Sequence, residues 1–257
     1  MNTPEVRAGR SLLVCGAHPD DETFFAGTMA LYVRQGVRVS IVCGTRGERG
    51  ATADLCSIEQ LPRVREAELR ASMRVLGLHD EDVFMLPYED QKLETAPSEE
   101  ICEQLVRIIR KVRPQVVVSF DPHGANGHTD HVAMSRFLLD AIPAAGDERW
   151  YPKAGAAHDA RRFLWLPPLQ PWRLAEDTDY RRHRGVDFLI DTSTVSEVKM
   201  AAISEHKTQL PGLRKLYFEH GAPRLTLQQE AFRLGWGPRP RQIPAPDLFV
   251  GIDSADK

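Results

Sequence analysis

What most constrains this chain is a repeated alternation of short apolar runs with segments patterned as helices. Ser11–Gly16 (SLLVCG) is a continuous apolar run of the kind that fits a strand buried on both faces of a parallel sheet. Glu22 to Gln35 reads as a helix closed by Gly36, and Val37 to Gly44 as a second strand. Ile58 to Leu78 contains a helix in which Leu69, Met73 and Leu76 share a face, Glu66 and Arg70 form an i,i+4 pair, and Gly77 ends the run. Asp82 to Leu86 is a short third strand. Ser98 to Arg113 places Ile101, Leu105, Ile108 and Val112 at helical spacing, and Pro114 stops it. Gln115 to Asp121 is a fourth strand, and His131 to Ile142 the next helix. The alternation predicts an α/β fold, Rossmann-like and doubly wound, with a mostly parallel sheet and right-handed crossovers.

The pattern weakens after Pro143. Residues 143–185 carry many Pro, Arg and aromatic residues around one candidate strand, Arg162 to Leu166, and read as a long excursion over the sheet that covers substrate. Val186 to Asp191 looks like another strand and Val195 to Leu210 like a helix. Gly235 to Asp247 reads as a Pro-rich surface segment before a last short strand, Leu248 to Ile252. At 257 residues the chain can bury a sizeable core without a disulfide, and one domain over 1–257 is expected. The cysteines Cys15, Cys43, Cys56 and Cys102 show no metal-ligand pair spacing, and Cys15 and Cys43 sit in apolar runs as small hydrophobes. The first ten residues have no apolar core of a signal peptide, and no apolar run reaches 18 residues. A reducing, cytoplasmic setting without a membrane span is therefore expected. With 33 basic against 36 acidic residues the net charge is -3, which gives nucleic-acid binding no global support.

The polar residues concentrate where such a sheet would place a site. His18-Pro19-Asp20-Asp21-Glu22 follows the first strand directly. Ligands of open α/β sheets bind outside the carboxyl ends of the strands. The first strand–helix turn of a dinucleotide-binding sheet is glycine-rich. Here the carboxylates and the imidazole would repel a pyrophosphate and attract a cation. A second cluster, Asp121-Pro122-His123-Gly124-Ala125-Asn126-Gly127-His128-Thr129-Asp130-His131, follows the fourth strand. Converging loops would let His18, Asp21 and His131 supply two imidazoles and a carboxylate, the pattern of catalytic zinc with water as a fourth ligand. The plainer reading is that Asp20 or Asp21 caps the next helix. A cap, however, requires neither His18 nor a second histidine-rich loop.

AHPDDE (Ala17 to Glu22) with a downstream GHTDH (Gly127 to His131) resembles the PIG-L/LmbE-like zinc-dependent de-N-acetylases. These remove acetyl groups from N-acetylglucosamine-type sugars, including phosphatidylinositol glycan, mycothiol and bacillithiol precursors. The likeness extends to Thr45-Arg46-Gly47-Glu48, to Arg65 and Glu68 ahead of Leu76-Gly77, to Asp90, to Lys199 with His206-Lys207-Thr208-Gln209, and to Glu230-Ala231-Phe232. It covers most of the chain and is weakest over 143–185. The resemblance implies His18, Asp21 and His131 as Zn2+ ligands, with Fe2+ able to replace zinc in the cell. It implies Asp20 as general base, and His128 as oxyanion partner or as helper of the leaving amine, oriented and charged by Asp130. Arg65 would bind substrate hydroxyls, and Glu48 and Asp90 would also belong to the substrate site. Two positions depart from the family pattern. Thr129 stands where Pro is common, and Asn126 stands where some members carry a carbonyl-assisting Tyr, leaving a weaker hydrogen bond.

The expected partner is a small N-acetyl sugar conjugate, with a homo-oligomer possible. His206 is expected either packed in the core or near the site. His123 is read as exposed or as a support for the metal loop, and Glu48 alone as a turn cap. Arg181, Arg182, His183 and Arg184 read as a solvated loop able to hold an anionic group. Phe163, Leu164, Trp165 and Trp172 read as core, with a sugar-stacking wall as the sharper alternative. Two competing functions remain on these residues. One is a non-haem Fe(II) oxygenase, which uses the same two-His-one-carboxylate set on a jelly roll. The other is a carbohydrate-binding module without catalysis.

Overall fold

A computed structural model describes residues 9–167, 178–219 and 223–252. Among them seven strands form one sheet in the order β3-β2-β1-β4-β5-β7-β6. β1 (Ser11–Gly16), β2 (Arg38–Thr45), β3 (Val83–Tyr88), β4 (Val116–Phe120) and β5 (Arg162–Leu166) pair in parallel. β7 (Gln229–Trp236) then runs antiparallel to both β5 and β6 (Phe188–Asp191) at the far edge. This is the doubly wound α/β arrangement expected, and it is incompatible with the jelly roll of an oxygenase.

The alternation of side chains along β1 explains the two layers. Leu12 and Val14 join one core with Phe25, Met29 and Tyr32 of the first helical layer and Leu69 and Met73 of the next helix. Leu13 and Cys15 point to the opposite core, with Ile101, Leu105 and Ile109 and with Met134 and Leu138. Helices α1 (Ala26–Arg34) and α2 (Leu61–Val75) thus cover one face, and α3 (Ser98–Val112) and the long α5 (Thr129–Gly146) the other. A sheet buried on both faces needs strands that are apolar at every position, which is why β1 and β4 show no polar alternation.

Several boundaries differ from those expected. The helix expected from Glu22 is a 3₁₀ turn, Asp21–Phe24, followed by α1. α5 starts two residues earlier than expected and continues past Pro143, which sits in its final turn. The expected helix over 195–210 ends at Glu205 as α6 (Ser196–Glu205), and the chain turns at His206 before α7 (Leu210–Arg214). A π-helical turn, Lys215–Glu219, and α8 (Pro223–Gln228) lead into β7, which was not expected as a strand. Leu248–Ile252, expected as a strand, forms turns instead. Its apolar character reflects burial of Leu248, Phe249 and Ile252 against α1 and β1, with no ladder partner required. No helix among the described residues is long and apolar enough to cross a membrane.

β1 lies between β2 and β4, so the direction of strand addition reverses there. The loops after β1 and β4 leave the sheet side by side at this switch point, where open α/β sheets hold ligands. The one-turn helix α4 (Gly124–Gly127) belongs to the second loop, and its Ala125 has φ 60° and ψ -52°, away from helical values.

Candidate metal centre

Asp21 sits at the middle of the converging loops. Its Oδ2 accepts the backbone N–H groups of Ala17 (2.8 Å) and His18 (2.7 Å), which folds the HPDD turn back on itself. Its Oδ2 also lies 3.5 Å from His18 Nδ1, and its Oδ1 lies 3.2 Å from His131 Nε2. The opposite nitrogen of each ring is engaged elsewhere. His18 Nε2 is 3.1 Å from both Asp130 Oδ2 and Asp90 Oδ1, and His131 Nδ1 is 3.2 Å from the Gly124 carbonyl. The His131 ring also stacks on Phe120, with centroids 3.8 Å apart and planes 2° from parallel. Two imidazoles therefore turn one nitrogen each toward a shared carboxylate while acceptors fix the other. That is how protein sites orient metal-binding histidines.

The electrostatics favour positive charge at this point. Burial lowers the proton affinity of His18, but hydrogen bonds to Asp130, Asp21 and Asp90 outweigh it and bring its pKa up to about 12. Burial alone would raise Asp21, yet the charges and hydrogen bonds of His131 and His18 hold it well below the usual carboxylate range. A proton or a cation satisfies the same carboxylates, and a divalent cation satisfies more of them. The donor set fits a metal ion on these grounds. His128 also brings a nitrogen within 4.8 Å of those of His18 and His131, and Asp90 and Asp130 form a similar group with His18. The latter two carboxylates meet Nε2, across the ring from Asp21, so they brace His18 rather than share its inward nitrogen.

Asp20 stands beside the centre with a left-handed backbone, φ 113°. Neither Asp20 nor Asp21 caps the following turn, so the capping reading does not hold. Burial raises the Asp20 pKa to about 6, with the opposing charge of Arg65 limiting the rise. The Arg65 guanidinium contacts Asp20 Oδ2 at 3.2 Å and donates from Nη1 to Gly47 O at 2.7 Å and from Nη2 to Pro19 O. Arg65 is 3% exposed. These bonds clamp two loops and the Asp20 carboxylate, while Arg65 Nε has no hydrogen-bond partner, so contact with substrate hydroxyls stays an expectation beside this positioning role. The clamp accounts for Gly47, since a β-carbon there would overlap the guanidinium.

Asp90 and Glu48, expected in the substrate site, also make supporting bonds to each other and to His18. Glu48 Oε1 accepts the Asp90 N–H at 2.7 Å, and Asp90 is 4% exposed with its carboxylate on His18. The Asp130 carboxylate makes no hydrogen bond to His128, although its charge favours the protonated His128 ring against the larger opposing effects. Its Oδ2 meets His18 and the Gln91 N–H (2.6 Å), and its Oδ1 accepts the Leu93 N–H (3.0 Å). Its link to His128 is a backbone one, Asp130 N–H donating to His128 Nδ1 at 3.2 Å. That bond puts the proton of a neutral ring on Nε2. Burial and the nearby His18 and His131 charges lower the His128 pKa, which also favours the neutral form. Asn126 is exposed, and its Oδ1 accepts the His128 N–H at 3.0 Å in a local turn.

Glu22, although inside the motif, carried no role in the sequence reading. It is 1% exposed and binds the Asp20 N–H through Oε2 and the Ser72 hydroxyl through Oε1, where His206 Nε2 also bonds. His206 is thus both buried and near the site. The available signal for Glu22 was a third acidic residue directly following Asp20 and Asp21. Ser72 and Tyr217 gave none. His123 is exposed and pairs with Asp121 at 3.4 Å. Phe163 and Leu164 are core residues, as the plainer reading has them, and Trp165 is partly buried against Phe163. Trp172 lies outside the described residues, as does the middle of the 143–185 excursion. Arg181 and Arg182 lie on an exposed 3₁₀ turn, with Arg182 paired to Asp179 at 3.3 Å.

Comparison with known proteins adds a consistent picture. The family description "PIG-L: GlcNAc-PI de-N-acetylase" matches residues 13–142. A 1D-myo-inositol 2-acetamido-2-deoxy-alpha-D-glucopyranoside deacetylase of Geodermatophilus obscurus is 36% identical over 61% of this chain, which spans 60% of that protein's length. An enzyme of the same name from Streptomyces scabiei is 31% identical over 97% of this chain and 92% of its own. The solved N,N'-diacetylchitobiose deacetylase of Pyrococcus horikoshii shares the fold with a TM-score of 0.69 and 22% identity, over 90% of this chain and 85% of that one.

Proposed function

Because this chain belongs to the PIG-L family, described as GlcNAc-PI de-N-acetylase, we propose that it removes the N-acetyl group from a small GlcNAc-type sugar conjugate by metal-dependent hydrolysis. The observation that carries the reading is the pair of imidazoles, His18 and His131, turned onto Asp21 with their outer nitrogens held by Asp130, Asp90 and Gly124. We assign His18, Asp21 and His131 as the ligands and zinc as the cation, because two nitrogens and a carboxylate with room for water is the donor set of catalytic zinc. Fe2+ accepts the same donors. When bound, the cation supplies Lewis acidity toward the amide carbonyl and toward water.

The chain's own groups then divide the proton work. Asp20 takes the proton of the attacking water on its carboxylate. A base raised to about 6 is ionised at neutral pH yet close enough to it to give the proton back. The departing nitrogen is a poor leaving group as an anion, so Asp20 returns the proton to it. His128, as a neutral ring, donates an Nε2–H hydrogen bond to the carbonyl oxygen as negative charge gathers there and keeps its proton. Asp130, Asp90 and Glu48 hold His18, and Arg65 holds Asp20. The relatives' name directs the first substrate to an inositol-linked N-acetylglucosamine.

The test is acetate release from a panel of GlcNAc conjugates headed by GlcNAc-inositol. Dialysed protein, chelator-treated protein and zinc-restored protein are compared. Release should follow zinc and stop with chelator. Zinc-loaded protein that binds these sugars but frees no acetate from any of them would identify a binding module instead.

A further inference from the structure

The backbone of Asp20 is gripped from both sides by the neighbouring Glu22 and Thr23 side chains, which are held in turn by side chains from far along the chain. Its N–H donates to Glu22 Oε2 at 2.9 Å. The other oxygen of Glu22 is taken by Ser72 Oγ at 3.0 Å, from α2, and by His206 Nε2 at the end of α6. The Asp20 carbonyl accepts Thr23 Oγ1 at 2.6 Å, and Thr23 Oγ1 in turn accepts the Tyr217 hydroxyl at 3.0 Å. His206 and Tyr217 are 0% and 1% exposed, and both lie beyond the 13–142 family match. His206 Nδ1 has no hydrogen-bond partner, so Glu22 is the ring's one polar anchor among the described residues.

The contrast with the neighbouring buried pair is informative. Lys199 Nζ meets Glu230 Oε1 at 2.7 Å, and Glu230 accepts the Gly27 and Thr28 N–H groups at the start of α1. That pair ends on a helix terminus and holds the C-terminal segment to the sheet. The His206–Glu22 pair ends on the peptide of Asp20, the residue whose φ of 113° a non-glycine side chain rarely adopts. A residue held in that region needs surrounding contacts to keep it there, and such residues gather at functional sites.

We infer that His206, through Glu22, and Tyr217, through Thr23, are positioning residues that lock the Asp20 peptide in its left-handed form and so aim the general base. The inference rests on Asp20 being the base in the proposed hydrolysis. Neither residue touches His18, Asp21 or His131 in any recorded contact, so the metal ligands stay in place when either is altered.

His206→Ala, His206→Gln and Tyr217→Phe are compared with the unaltered enzyme for metal content, KM and kcat on the substrate found above. For His206→Ala, kcat should fall about 10²-fold, the scale of a misplaced catalytic group, while KM and metal content hold. His206→Gln restores a donor to Glu22 and should recover most of that loss. Tyr217→Phe removes one hydroxyl and should lower kcat about three- to tenfold. Crystal structures of the zinc-loaded variants read Asp20 directly, and φ should leave the left-handed region in His206→Ala. Should that variant not fold, His206→Gln and Tyr217→Phe carry the test. Unchanged kcat together with unchanged Asp20 φ overturns the inference, as does a loss that follows metal content or KM. Because the φ readout needs no turnover, an unaltered enzyme that releases no acetate would sink the hydrolase reading and leave this geometry test standing.

Discussion

The loop after β1 and the loop after β4 leave neighbouring strands at the same edge of the sheet, and they are supported in opposite ways. The first, Ala17 to Thr23, is buried along nearly its whole length, and its polar groups are met by Arg65, Thr45, Ser72, His206 and Tyr217, drawn from distant segments. The tip of the second, Asp121 to His128, is largely held by itself. Asp121 Oδ1 accepts the Ala125 N–H at 2.7 Å, Asn126 accepts the His128 N–H, and Gly124 and Gly127 adopt φ of 68° and 84°. His123, Asn126 and Gly127 are exposed. The difference follows from the work assigned to each loop. A base must meet one water at one angle, so its backbone is over-determined. A histidine that donates to a substrate oxygen can stand on a self-contained turn and close the last fraction of an ångström when substrate arrives. Changes in the first loop should therefore damage rate most, and changes at the tip of the second loop least.

The sharpest test of the first loop is Asp20→Asn. The side chain keeps its size and loses its basicity, so kcat should fall by about 10²–10⁴ with zinc retained. The pH profile gives an independent check. As the proposed base Asp20 must be deprotonated to act, and burial raises its pKa to about 6. In the unaltered enzyme, kcat/KM should thus be full above that pH and fall about tenfold per unit below it. The limb should vanish in Asp20→Asn. A variant with full activity would remove the base from this loop and with it the reason for its rigidity.

These two loops were also unequally legible. The HPDDE and GHTDH clusters stood out because their residues are adjacent in sequence and follow apolar strands, so local pattern alone brings them to the carboxyl edge. What their neighbours do is set at long range. Asp90 and Asp130 both look like site carboxylates, and only the packed structure shows that they share His18 Nε2. The contacts of Arg65 with the Gly47 carbonyl and with Asp20 come from its place on α2 and were not readable from its neighbours in sequence. The partnership of His206 with Glu22 spans 184 residues and leaves no periodic trace. β7 escaped notice because it joins the sheet antiparallel after the strand–helix alternation has ended, whereas Leu248–Ile252 mimicked a strand by being apolar for burial alone.

For the second loop, His128→Ala should lower kcat by about 10²–10³, the scale of one lost oxyanion donor. The same histidine also caps α5, since its Nδ1 accepts the Asp130 N–H. Replacing that cap should cost about 1 kcal/mol of stability. His128→Asn separates the two roles. Its short carboxamide can still cap the helix but cannot present a ring Nε2–H to substrate. Thermal unfolding should therefore be close to that of the unaltered enzyme while kcat remains low. Recovery of kcat together with stability would make His128 a cap and nothing more.

Asn126 gives the smallest effect and probes how far the second loop tolerates change. Its side chain is exposed and its recorded bond is the turn bond to the His128 N–H. A surface side chain of this kind contributes within about 0.5 kcal/mol, so Asn126→Ala should alter kcat/KM by no more than about twofold. Asn126→Tyr restores the residue that some family members carry there. The exposed position leaves room for the ring, so this variant should raise kcat if the hydroxyl reaches the carbonyl and leave it unchanged if the turn keeps it in solvent. A large loss in Asn126→Ala would mean that the amide itself touches substrate, and the loop tip would then belong with the base loop among the parts that must be held fixed.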